Sequence, residues 1–140
     1  MSWTTRLFPP RCLLCAAPGH GGRALCRGCD ADLPRIAAGC ARCGEALPAT
    51  GPGLPELSVC GACLWRPPPF TAITVPFHYA PPIDWLVHRL KFRNDLAAGR
   101  LLGQLLAAAM GDEPPPVAAV VPLPLHARRL RERGFNQAAE

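Results

Sequence analysis

Hydrophobic positions change character along the chain at about residue 65. Before it, short Gly- and Pro-rich segments show no sustained period. The run Arg66-Pro67-Pro68-Pro69 then forms a stiff, non-helical joint, because each proline fixes φ and lacks an N–H donor. Beyond it, Thr71–Tyr79 is rich in β-branched and aromatic residues and predicts a strand, with Pro76 marking an edge or bulge. Ile83, Leu86, Val87 and Leu90 fall at i, i+3, i+4 and i+7, the spacing of an amphipathic helix. Asp84 near its start, and Lys91 and Arg93 near its end, complement the helix dipole. A second helix is expected over Leu96–Met110, stopped by Gly111 and the prolines at 114–116. Val117–Val121 is almost wholly apolar, as in a strand buried on both faces. The arginine-dense segment after His126 is expected to become helical beyond Gly134. A strand–helix–helix–strand order opens an α/β domain, and a parallel sheet needs further crossover units to cover it. The expectation is therefore one whole small domain and the first part of a second, with the boundary at residues 65–70.

Composition narrows the class. A hydrophobic fraction of 49% in 140 residues excludes an intrinsically disordered chain. Eighteen prolines and 13 glycines place it at the loop-rich end of globular proteins. The net charge of +5 permits an anionic partner without demanding one. The first ten residues hold no apolar run of signal-peptide length, and the longest apolar stretch falls short of the roughly 20 residues of a membrane span. The expected compartment is the cytoplasm, where thiols stay reduced.

That compartment directs the reading of the cysteines. All eight fall into CxxC pairs, Cys12/Cys15, Cys26/Cys29, Cys40/Cys43 and Cys60/Cys63. A CxxC turn aims two thiolates at one point, and a second pair completes a tetrahedron. Disulfides are disfavoured in a reducing compartment, and a redox CxxC would occur once within a thioredoxin-like pattern. An iron–sulfur cluster uses the same ligands, although at more compact spacings. The expectation is two structural Zn²⁺ ions, each held by four thiolates with no open position for water. Ten residues separate the first two pairs and sixteen the last two, so sequential sites need only local loops. A crossed arrangement is the alternative. His20 reads as a loop histidine beside two complete ligand sets, and Trp65 and Phe70 are expected to pack on the module. His78, His88 and His126 lack a carboxylate or nucleophile at an informative spacing.

Several blocks together resemble one family. They are Phe8-Pro9-Pro10-Arg11-Cys12-Leu13-Leu14-Cys15 with the four CxxC pairs, Phe77-His78-Tyr79, and Leu86-Val87-His88-Arg89-Leu90-Lys91-Phe92. Val121-Pro122-Leu123-Pro124-Leu125-His126 and Arg133-Gly134-Phe135-Asn136-Gln137 complete the set; the last block is the most specific and the Leu90-Lys91-Phe92 helix the next. The chain resembles the ComF family of competence-associated, phosphoribosyltransferase-like proteins, which includes gluconate-utilisation relatives. The resemblance implies a double zinc ribbon (a β-knuckle domain) at residues 1–66. It further implies, at residues 67–140, the N-terminal part of an α/β type I phosphoribosyltransferase-like domain, here C-terminally truncated. In that fold a later strand ends in two acidic residues and a Thr/Gly-rich loop that grips the 5-phosphate of phosphoribosyl pyrophosphate (PRPP). Nothing after Val121 matches it. PRPP binding and any transferase activity are therefore expected of the full-length protein only, and this fragment is expected to be inactive.

The Arg128, Arg129, Arg131 and Arg133 cluster, with Asn136 and Gln137, carries two readings. One is contact with phosphate or single-stranded DNA at the mouth of the transferase site; the other is a solvated charged loop. The functional expectation is DNA uptake or competence through nucleotide and single-stranded DNA binding, with DNA-uptake proteins as partners. A zinc-ribbon scaffold that recruits proteins without transferase activity is the alternative.

Overall fold

A computed structural model describes residues 10–48, 58–111 and 117–139. Phe8 and Pro9 of the opening motif and the prolines at 114–116 lie outside the described residues. Packing divides the chain into two compact units, one of Met1–Leu33 with Tyr79–Glu140 and one of Pro34–His78.

In the first unit the chain turns back at Cys12: the Cys12 N–H donates to Ala17 O (2.8 Å), and the Ala16 N–H to Cys12 O (2.9 Å). A single antiparallel bridge joins Arg11 and Pro18. Helix α1 (Arg27–Ala31) starts at Cys26, whose thiol accepts from the Cys29 N–H. Cys12, Leu25 and Leu33 are buried.

The same unit contains a helical hairpin. Helix α3 (Ile83–Arg93) buries Ile83, Leu86 and Leu90, the positions expected from its 3.6-residue period, with Val87 half-buried. Asn94 ends it in the left-handed region (φ 52°). Asp95 then caps helix α4 (Leu96–Met110) by accepting from the Ala98 N–H at 3.1 Å. Gly111 closes α4 at φ 78°. Helix α4 buries Ala98, Leu101 and Leu105. Gly99 lets the helices approach, since a Cβ there would meet Leu90 Cδ1 at 2.9 Å. Each buried Leu or Ile contributes about 1.5–3 kcal/mol.

The second unit repeats the ribbon turn 28 positions later. The Cys40 N–H donates to Glu45 O, the Gly44 N–H to Cys40 O (both 2.8 Å), and Gly39 bridges Ala46. Helix α2 (Gly61–Trp65) follows Cys60. Here the expected strand at Thr71–Tyr79 takes another form. It makes one bridge, Arg35 to Phe77, flanked by Ile36 N–H to Pro76 O (3.0 Å) and His78 N–H to Pro34 O (2.8 Å). Pro76 has no N–H with which to extend a ladder. Val75 and Ile73 instead lie over Gly44 of the second ribbon.

Three further expectations are corrected. Val117, Val120, Val121 and Leu123 are 64–87% exposed, and no strand pairs with them among the described residues. An apolar run is buried only where other segments cover it. The arginine-dense segment is helical before Gly134, not after it: α5 (Ala127–Arg133) starts at His126, whose Nδ1 accepts from the Arg128 N–H, and Gly134 stops it at φ 77°. Trp65 does not pack on its ribbon but is 91% exposed, and Phe70 is 46% exposed. Trp65 ends a five-residue helix that buries only Cys63.

Candidate metal centres

The eight thiols gather into two groups, Cys12/Cys15/Cys26/Cys29 and Cys40/Cys43/Cys60/Cys63, with all sulfurs of a group within 4.8 Å of one another. This is the local arrangement and not the crossed one. Each ribbon turn presents its first pair, and the N-terminus of a short helix presents the second. Cys15 and Cys26 sulfurs lie 3.5 Å apart, and Cys43 and Cys60 sulfurs 3.6 Å apart. A tetrahedron of Zn–S bonds near 2.3 Å has edges of about 3.8 Å, so the spacing suits one ion per group. It is far too long for a disulfide bond, which is about 2.0 Å.

The backbone prepares these sulfurs to be thiolates. Burial would raise the Cys12 thiol, but the backbone N–H groups of Cys26, Cys15 and Leu14 outweigh it and hold the pKa down to about 6. At Cys40 the N–H groups of Cys43 and Cys60 dominate and again lower it to about 6; the Cys60 N–H sits 3.3 Å from that sulfur. The remaining protons are harder to remove. Cys63 is pushed up to about 12 by burial and by the thiols of Cys43, Cys60 and Cys40. Cys29 is driven upward by Cys15 first and then by burial. Four sulfurs this close cannot all become anionic without a cation at their centre, and a divalent ion supplies it. The two all-cysteine groups fit two structural zinc ions.

His20 stays outside the sulfur group and accepts from Arg27 Nε at 3.4 Å. His78, His88 and His126 are exposed. The N–H donors that lower Cys12 and Cys40 were not anticipated from sequence; the 28-residue repeat of the ribbon turn was the available signal.

The arginine cluster lies on α5. Arg128 and Arg129 both pair with Glu132, at 2.9 and 3.3 Å. Arg131 is exposed, and Arg133 donates to Gln137 Oε1 (2.8 Å) and stacks 5.7 Å from the Phe92 ring centre. Asn136 donates to Leu123 O at 3.1 Å, tying the helix's exit to the extended segment before it. Gln137 and Asn136 thus serve local structure, while Arg128, Arg129 and Arg131 face solvent. No helix among the described residues is long and apolar enough to cross a membrane.

Residues 3–64 match the family model of the double zinc ribbon domain. The chain is 38% identical over 138 residues to the DNA utilization protein YhgH of Salmonella typhi, and 37% identical to that of Escherichia coli strain K12. It is 31% identical over 137 residues to Competence protein F of Haemophilus influenzae. These alignments cover 93–94% of the chain, which spans 57% of the length of these relatives. No solved structure matches it. Residues 3–64 are thus similar to a double zinc ribbon domain, and nearly all of the chain is similar to part of the proteins named DNA utilization protein and Competence protein F.

Proposed function

We propose that this chain belongs to a cytoplasmic protein of DNA uptake or utilisation, in which the zinc ribbons are structural. On this reading, residues 67–140 begin a phosphoribosyltransferase-like domain that binds nucleotide and single-stranded DNA. The observation that carries the reading is the similarity, across 93–94% of the chain, to relatives named for DNA utilisation and competence. Support also comes from α5, which turns three arginines toward solvent next to an exposed apolar segment. Arginine suits phosphate because its planar fork donates two parallel hydrogen bonds. Glu132 offsets part of this charge, so the DNA contact is weak and without sequence preference. Proteins of the DNA-uptake machinery are the partners on this reading. On this reading PRPP binding needs a Thr/Gly phosphate loop, which residues 122–140 do not contain.

The test is titration with single-stranded DNA at several salt concentrations. Replacing Arg128, Arg129 and Arg131 by Ala should lower the salt slope by about two, at roughly 0.7 per single-strand phosphate contact. An unchanged slope returns the cluster to a solvated helix face. Calorimetry should find no PRPP binding to the 140-residue chain and binding to a chain longer by about 100 residues.

A second reading, a scaffold without transferase activity, is favoured by Leu64 and Trp65, which are 69% and 91% exposed beside the ligand Cys63. Trp65→Ala distinguishes the two: loss of partner capture with DNA binding intact supports the scaffold.

A further inference from the structure

Arg89 lies in the middle of α3, and its guanidinium joins three pieces of the first unit. Its Nη1 donates to the carbonyl of Leu13 at 3.3 Å, inside the turn between Cys12 and Cys15. Its Nη2 pairs with the Asp95 carboxylate, the cap of α4. Its plane rests 4.6 Å from the Trp85 ring centre, one turn back on α3. The Arg89 and Asp95 side chains are only 24% and 16% exposed. Losing one of these partners therefore leaves a charged group short of hydrogen bonds in a partly buried place. Leu13 is itself tied to the ribbon, its N–H donating to Ala24 O at 3.0 Å.

The hairpin has little of its own to stand on. Helices of 11 and 15 residues are marginal alone in water. Their shared core holds Ile83, Leu86, Leu90, Ala98, Leu101 and Leu105, one of them an alanine. The Leu13 carbonyl lies within the Cys12–Cys15 turn, whose two sulfurs share a group within 4.8 Å with those of Cys26 and Cys29. We propose that occupancy of the first zinc site sets the stability of the α3–α4 hairpin, with Arg89 as the positioning residue that transmits it. The second site lies in the other compact unit and serves as the internal control.

The experiment is amide hydrogen exchange at Leu86, Leu90, Leu101 and Leu105 in the whole chain, with zinc counted in each sample. Cys12→Ser with Cys15→Ser should lose one ion and speed exchange about tenfold or more, the effect of one lost hydrogen bond to a charged group. Cys40→Ser with Cys43→Ser should lose the other ion and change hairpin exchange less than about twofold. Equal effects of the two losses, or no effect of the first, overturn the proposal. Arg89→Met should keep both ions, exchange faster, and respond little further when the first site is lost. A full response in that background shows that the coupling does not pass through Arg89. Should Arg89→Met leave the helices unfolded, Asp95→Asn weakens the ion pair while its side-chain oxygen still caps Ala98. It should reduce the response to first-site loss, and an undiminished response again counts against the Arg89 link.

Discussion

In the first ribbon the residue after the second cysteine is Ala16, at φ 62°; in the second it is Gly44, at φ 74°. The turns are otherwise the same, with the same two backbone hydrogen bonds and the same bridge one residue outside. Ala16 is exposed, and its left-handed conformation costs only local strain. Gly44 is buried, and a Cβ there would collide with Val75 and crowd Ile73. One backbone solution thus tolerates alanine where nothing packs on it and requires glycine where a strand-like segment crosses over it. The metal sites differ in the same direction. Cys15 is exposed in the first group, whereas the second has two buried sulfurs, Cys40 and Cys63, and none exposed. The ribbon turn is set by its ligands, and its surroundings decide how much further substitution it accepts.

The largest expected effect is metal removal, since each structural zinc contributes on the order of 10 kcal/mol to folding. Purified protein should be colourless, with two zinc ions per chain. Brown colour with iron and labile sulfide would replace zinc by a cluster. Cys12→Ser with Cys15→Ser should expose Cys26 and Cys29 to alkylation while Cys60 and Cys63 stay protected. Loss of protection at Cys40 and Cys43 would contradict the sulfur groups described above.

Acid should release both ions. Cys12 and Cys40 each have a thiol lowered to about 6, so their thiolates persist above that pH and are protonated as pH falls through it. Zinc affinity falls in the same direction, because protons compete for the sulfurs. Zinc-sensitive dye titration from pH 7 to 4 checks this. Release of the buried second site at a higher pH than the first would break the comparison.

Smaller effects separate the two turns. Gly44→Ala should destabilise the second ribbon by about 2–4 kcal/mol, combining left-handed strain with overpacking against Val75. Adding Val75→Ala should recover the steric part, read as slower zinc loss to chelator. Asp95→Ala should cost the hairpin about 2–3 kcal/mol, through the lost cap of α4 and the lost partner of Arg89, measured by denaturant unfolding. The smallest change should be Ala16→Gly, stabilising the first ribbon by about 0.5–1 kcal/mol as its strain is relieved. A loss of stability there would mean that the Ala16 methyl has a packing role.

The sequence by itself determined the ligands and the helices. Eight cysteines in four CxxC pairs are a local pattern, and so is the apolar period of Ile83, Leu86, Val87 and Leu90; both are legible because the partners lie within a turn of chain. The stop at Gly111 rests equally on local backbone freedom, whereas Gly134 ends α5 and does not precede a helix as expected. Loop lengths already pointed to the local pairing of the cysteines that the structure shows; tertiary structure alone decided where the residues at 71–79 settle, because β-branched content does not specify what a segment pairs with. It also decided that Val117–Val121 stays exposed among the described residues, since burial depends on what covers a run and not on its apolarity. Arg89 shows the same divide. Its position four residues after Trp85 is visible in the sequence, but its bond to Leu13, 76 positions away, exists only once ribbon and hairpin have packed.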